Sequence, residues 1–396
     1  MAVYRWPRMA RRVVLVSVLA LAAVVVPVTA ELPVFGAVSP QAVTRFRAPV
    51  TVVPHGCGGT SFPVDGGRGV DAAVDGRGVI RGFAGFSPGR CDGPISYFEG
   101  AGRIWRHTRT PYHGRVLAAG WDTTGTYVLY VARDGVRIAK RTPRGVFTGG
   151  HRLSLGTEIS GGDLLAVNGT WWAVWSELTH GQGYFLTQAK TYGRDIRRQR
   201  IIRHGDGILD FGPALAWRPG GGAVLAFSRE HDTGRFTYYE PWVAGSTDGR
   251  WSARHFTLPG APDLMGERMT VATHGRSTYL AFSSGDGMLV ASNESGRWRA
   301  RRLRDFGGTS FDSPPRLAVT RGRLMVAWLE QALGPGNVGI NRVRYAERRS
   351  GWSVTRLTPT VTSDQDTKAL LVSAGRPTIL ASSAGTRRLY ALVGSR

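Results

Sequence analysis

From about residue 115 the sequence returns to one pattern roughly every fifty residues, and this recurrence limits the fold more than any total does. Each unit has a short apolar stretch, a Gly-containing turn and a stronger apolar stretch carrying aromatics. The stronger stretches are 170–177 (TWWAVWSE), 222–230 (GAVLAFSRE), 277–284 (STYLAFSS), 323–330 (RLMVAWLE) and 376–383 (RPTILASS), with an earlier copy at 126–132. Aligned with one another, Trp175, Phe227, Phe282, Trp328 and Ser382 stand 46 to 55 residues apart. After each comes an alternating stretch such as 287–292 or 343–346. A Gly turn follows, and then Trp251, Trp298 or Trp352 opens a basic segment.

The runs are short, rich in Val, Leu, Trp, Tyr and Phe, and bounded by Gly, which is the signature of strands. Beyond the first thirty residues no stretch keeps a helical apolar period. Each unit therefore predicts four antiparallel strands. One such sheet cannot cover its own two faces, whereas copies stacked around an axis bury both and leave only short outer edges. The expectation is an all-β chain folded as a β-propeller. Units at 69–115, 116–158, 160–207, 211–258, 262–307 and 312–358 precede a last one, 364–396, with only three strands. Residues 45–53 supply the missing outermost strand, so the N-terminal chain closes the ring in the last blade. That makes seven blades, with six as the alternative because 54–115 is Gly-rich and irregular. The organisation is then a leader at 1–30, a linker at 31–42 and one propeller domain at 43–396.

Two turns before basic segments, 292–298 (SNESGRW) and 246–251 (STDGRW), resemble in degraded form the Asp-box of sialidase-like propellers, Ser-x-Asp-x-Gly-x-Thr-Trp. Glu294 stands where one box would have Asp, and the Thr before the Trp is absent from both. In that family the box is a structural hairpin on the outside of a blade. The resemblance thus implies an acid that caps turn amides and a Trp that packs between sheets. Arg45-Phe-Arg47-Ala-Pro49 is similar to the sialidase Phe-Arg-Ile-Pro segment, whose arginine helps grip the sugar carboxylate. Sialidase chemistry would also need two more convergent arginines, a general-acid Asp and a Tyr activated by a Glu. Asp75, Glu230 and Tyr345 fall in a suitable order but in no family motif. If 45–53 is the closing outer strand, Arg47 lies at the rim, away from the axis. Catalytic residues therefore stay unassigned.

The N-terminus reads as an address. Residues 1–12 hold Arg5, Arg8, Arg11 and Arg12 and no acid, and an apolar run follows from Val13 to Val28. Val28-Thr29-Ala30 then offers small residues, so cleavage between Ala30 and Glu31 and a secreted or extracytoplasmic location are expected. An uncleaved anchor is the alternative, although the run falls short of the roughly 20 residues that span a bilayer. Arg11-Arg12 also resembles a twin-arginine export signal. No later stretch is apolar enough to cross a membrane.

Formal net charge is +23, and only Lys140, Lys190 and Lys368 are lysines. Such an excess attracts an anionic partner, but arginines spread along the chain also fit a solvated surface, and they specify no nucleic-acid motif. Cys57 and Cys91 are the two cysteines. In an oxidising compartment they predict one disulfide, worth ~3 kcal/mol by chain entropy.

The nine histidines have no metal-ligand spacing. Neither a nucleophile elbow nor a phosphate loop is present, so no cofactor is expected. Trp171, Trp172 and Trp175 offer a sugar-stacking surface, unless alternation turns them into core. Three classes remain. The leading one is a monomeric binding or scaffold module for a glycan, an envelope polymer or a protein. The others are a sialidase-like or other glycan-acting hydrolase or lyase, and a structural envelope protein resting on anionic polymer.

Overall fold

The computed structural model describes residues 44–395, apart from 54–68, 86–92 and short loop segments between 180 and 387. The leader, the Ala30–Glu31 junction, the linker, Cys57 and Cys91 lie outside the described residues. Those described form 28 strands arranged as seven four-stranded antiparallel blades. The blades occupy 70–113, 115–152, 159–200, 209–255, 264–305 and 316–356, and the seventh combines 365–393 with Val50–Val53. Blades 4 and 5 are additionally joined by one bridging pair, Tyr239 opposite Leu264. The first strands of successive blades touch in order, and that of blade 7 touches that of blade 1, so the ring closes. The protein is a seven-bladed β-propeller, and the irregular region before residue 115 does supply a full blade.

Closure is made by the two ends of the domain. Val50–Val53 is the outermost strand of blade 7, against Arg388–Val393, with Val50 opposite Ala391 and Thr51 opposite Tyr390. Phe46 bridges Gly394, the Arg47 amide donates to the Val393 carbonyl (3.0 Å), and the Ser395 amide donates to the Arg45 carbonyl (2.8 Å).

Seven hydrophobic clusters fill the seven seams between blades. The second strand of blade 3 (Thr170–Thr179) shows why its apolar run is continuous. Alternate residues of a strand point to opposite faces. Trp171, Ala173 and Trp175 accordingly join the cluster facing blade 2, while Val174 joins the one facing blade 4. Both faces of an inner strand are covered, so neither can be polar. The sugar-stacking surface expected of the tryptophans is therefore absent. Trp171, Trp172 and Trp175 are all buried, and Trp172 donates its indole N–H to Gln188 Oε1 (2.9 Å).

The turn tryptophans pack between sheets, as expected. Trp251 of blade 4 donates to the same Gln188 oxygen (2.7 Å), and its ring lies 5.3 Å from that of Trp172. The acid of the degraded box behaves differently from the expectation. The turn amide of Gly296 donates to the Asn293 backbone carbonyl (2.9 Å), and Asn293 Oδ1 accepts the Thr278 amide of the neighbouring strand (2.7 Å). Glu294 reaches sideways instead, accepting from the Tyr279 hydroxyl (2.6 Å) and from both terminal nitrogens of Arg348 in blade 6 (2.9 and 2.5 Å). A Glu is one methylene longer than an Asp, which carries its carboxylate past the turn amides to the neighbouring blade. The other box turn, at 248–249, lies outside the described residues.

Candidate functional site

Two cavities bounded by described residues bear on function. The first lies on the axis. It measures about 180 Å³, and every first strand contributes to its wall, among them Asp71, Ala119, Asp163, Leu215, Thr270, Arg316 and Leu370. Most of the lining is small and aliphatic. The two carboxylates act as lateral ties between first strands. Asp71 Oδ2 accepts the Ala119 amide of blade 2 (2.8 Å), and Asp163 Oδ2 accepts the Leu215 amide of blade 4 (2.8 Å). The described axial lining thus has no aromatic ring, and each of its two carboxylates accepts an amide of a neighbouring blade.

The second cavity is larger, about 390 Å³, and opens between blades 1 and 2 beside their hairpin turns. It is built on the Asp75 turn, which joins Val70–Val74 to Ile80–Ala84. Asp75 Oδ1 accepts the amides of Arg77 and Val79 (both 2.9 Å), folding the turn around one carboxylate oxygen. The other oxygen, Oδ2, accepts from Arg81 Nε (2.9 Å). Burial alone would raise the Asp75 carboxyl. The Val79 amide, the Arg81 guanidinium and the Arg77 amide outweigh it and hold the group below the usual carboxylate range.

Arg81 carries the network onward. Its NH1 donates to Glu99 Oε2 (2.9 Å) and to the Tyr97 hydroxyl (3.2 Å), and that hydroxyl donates to Glu99 Oε2 (2.9 Å). Tyr97 and Glu99 are two apart on the third strand (Pro94–Ala101) and so share a face. Burial and then Glu99 raise the Tyr97 phenol, which therefore stays a donor. From blade 2, Arg141 lies over the Tyr97 ring (4.3 Å to the centroid), with NH1 3.5 Å from Glu99 Oε2. Its Nε–H is buried and makes no hydrogen bond among the described residues. The half-buried Trp121 forms another part of the wall. Gly125, also in the lining, must be glycine: its φ is +150°, and a Cβ would stand 2.4 Å from the Arg141 carbonyl oxygen. The cavity thus combines an indole, guanidinium forks and a pre-set carboxylate, which suits a small polar ligand with an apolar face.

The same parts recur in blade 6. Tyr345 and Glu347 share a face of its third strand (Gly339–Arg348). Glu347 accepts from Tyr345 (3.0 Å), from Arg323 Nε (2.7 Å), from Arg349 Nε (2.5 Å) and from Thr44 Oγ1 (2.9 Å), which arrives with the closing N-terminal chain. Burial would raise this carboxyl, yet the four donors hold it at about 2.

The residues that the sialidase resemblance singled out are not brought together at the axis. Arg47 is exposed beside the closing strand of blade 7, and Asp75 organises its own turn. Glu230 is half-buried at the far end of the second strand of blade 4, beside the buried Arg229–Asp210 pair. Tyr345 is sealed in the seam between blades 6 and 7, and none of the four lines the axial cavity. Reading the sequence alone did not find Arg81, Tyr97, Glu99, Trp121 or Arg141. The signal available was the Tyr-x-Glu spacing repeated at equivalent third strands, 97–99 and 345–347. Among the described residues no three His, Cys, Asp or Glu group as a metal site. None of those residues forms a helix long and apolar enough to cross a membrane.

No protein-family model and no curated protein matches the sequence. In three dimensions the chain is similar to a Penicillium chrysogenum α-L-arabinanase complexed with arabinobiose. The TM-score is 0.51 at 13% identity, over 80% of this chain and 99% of that one. It is similar to a polysaccharide lyase with a TM-score of 0.52 at 11% identity, over 88% and 91% of the two chains. An Aleuria aurantia lectin in complex with Fucα1-6GlcNAc aligns at 0.48 and 14% identity, over 76% and 99%. At such identities the likeness is one of fold.

Proposed function

We propose that this chain is an exported glycan-binding propeller whose pocket between blades 1 and 2 receives a sugar. The observation that carries the reading is the wall of that pocket: Trp121 beside Arg81, Arg141 and Asp75, around a volume suited to one or two sugar rings. An indole covers the C–H face of a sugar, while guanidinium and carboxylate groups pair with vicinal hydroxyls. The basic, acid-free leader ending in small residues supports export.

Binding is favoured over hydrolysis for an electrostatic reason. A glycosidase keeps one carboxyl protonated by raising its pKa. In the carboxylate that lines this pocket, Asp75, burial is instead outweighed by the Val79 amide, the Arg81 guanidinium and the Arg77 amide, which hold it below the usual range. Calorimetry against a panel of neutral and acidic oligosaccharides tests the reading. At least one sugar should bind, and Trp121→Ala should weaken it about tenfold with an unchanged melting temperature, while fluorogenic glycosides stay intact. Silence across the panel, or turnover of a glycoside, would overturn it.

A further inference from the structure

The arginines that the sequence scatters are gathered by the fold onto one surface. The outermost strands of blades 3 (Asp195–Arg200), 4 (Arg250–His255) and 5 (Arg299–Asp305) carry nine arginines and two acids. The whole chain has 51 basic and 28 acidic residues, so these three neighbouring edges hold far more than their share of positive charge. An outermost strand has a ladder partner on one side only. All of 195–200 is exposed, as are Arg250, Arg254, Arg299, Arg301 and Arg302. Some of these arginines have local partners. Arg198 reaches Glu177 (3.2 Å), and Arg200 donates to Thr179 Oγ1 (3.0 Å). Arg250, Arg254, Arg299 and Arg301 make no ion pair among the described residues. Keeping an edge from pairing with another sheet takes a charge or two per strand, and lysine serves that purpose. Nine guanidinium forks on three adjacent edges go beyond it.

We infer that the outer edges of blades 3, 4 and 5 form a docking surface for an acidic polysaccharide, a flexible chain carrying carboxylate or sulfate groups. Each guanidinium offers paired N–H donors that match such an anion. The edges of successive blades are splayed around a circumference. A bilayer is flat and duplex DNA is stiff over about 50 nm, so either would touch an edge or two, whereas a flexible polymer follows all three. Single-stranded nucleic acid binds by stacking its bases on exposed aromatic rings. The tryptophan of these strands, Trp251, is instead turned inward onto Trp172. This surface stands apart from the pocket of blades 1 and 2, and its test is independent of that reading.

Affinity electrophoresis and calorimetry with polygalacturonate, dextran sulfate, neutral dextran and an oligothymidylate test the inference. One or both acidic polysaccharides should bind and neutral dextran should not, with affinity falling steeply between about 50 and 200 mM salt. Combined Arg250→Gln, Arg254→Gln, Arg299→Gln and Arg301→Gln should weaken binding at least about tenfold and flatten the salt dependence, leaving the melting temperature and any sugar binding at the pocket unchanged. Carboxylate and sulfate arms show which anion is preferred. Full affinity in the fourfold variant, no binding of either acidic polysaccharide, or oligothymidylate held as tightly as they are would overturn the inference.

Discussion

Blades 1 and 6 contain the same trio, a Tyr-x-Glu pair on the third strand and an arginine from the second, yet one makes a cavity and the other a clamp. In blade 6 the Glu347 side chain is 4% exposed, because Thr44 from the N-terminal chain and Arg349 complete its set of donors. In blade 1 the Glu99 side chain is 26% exposed. There, among the described residues, the neighbouring blade offers only Arg141, at 3.5 Å and with its Nε unbonded, and the half-buried Trp121 beyond it. The difference lies in what fills the groove next to the trio. A chain end that must be held fills it at one seam, and at the other the groove stays open. A repeat fold can thus reuse one polar cluster to close a ring or to wall a cavity by changing what the next blade supplies.

The strongest way to break this comparison is to remove what is being clamped. Deleting 388–396 takes away the strand against which Val50–Val53 pairs, and the ring should lose its single cooperative thermal transition; a truncated protein that kept the parent melting temperature would refute the account of closure. Next come the two carboxylates. Glu347→Ala leaves Arg323 and the Tyr345 hydroxyl without their acceptor in a sealed seam and should cost about 3 kcal/mol. Glu99→Ala, in a partly open pocket, should cost under about 1 kcal/mol. Urea unfolding measures both, and equal losses would erase the distinction.

The smallest effect is in pH. The Glu347 carboxyl sits at about 2 in the folded chain against an ordinary 4.5. Its charged form is therefore favoured by folding, and its contribution is complete above 4.5 and fades as pH falls towards 2. The gap in urea midpoint between the parent and Glu347→Gln should be flat from neutral pH down to about 5 and should close below that. A gap that persisted at pH 2 would remove the clamp from the argument.

Blade boundaries and ring closure were legible because they depend on period and chain length alone. The run at 170–177 could only be a strand covered on both sides, and a three-strand remainder after 364 had to borrow a strand. What the sequence left hidden was whatever depends on the contact between blades. Whether Trp171 or Trp172 is exposed could not be read locally, because Trp172 is covered by Gln188 and by Trp251, which lies far away in sequence. Glu294 looked like a turn cap because its reach to Arg348 crosses a seam 54 residues long in sequence. Arg81, Tyr97, Glu99 and Arg141 are unremarkable in isolation, and they become a site only when the first two blades are set side by side. The arginines show the same effect at larger scale: the basic segments after Trp251 and Trp298 were visible in the sequence, but only the order of the blades makes their edges neighbours.

The way the ring closes also orders events in time. Val50–Val53 leaves the ribosome before its partner Arg388–Val393, with six blades between them, so the sheet that unites them waits for the rest of the ring. Until then Val50–Val53 has no strand to pair with, and it can instead occupy the edge of Arg388–Val393 in another, finished copy. Two chains at high concentration can therefore trade these segments and emerge as an exchanged dimer with every native pairing intact.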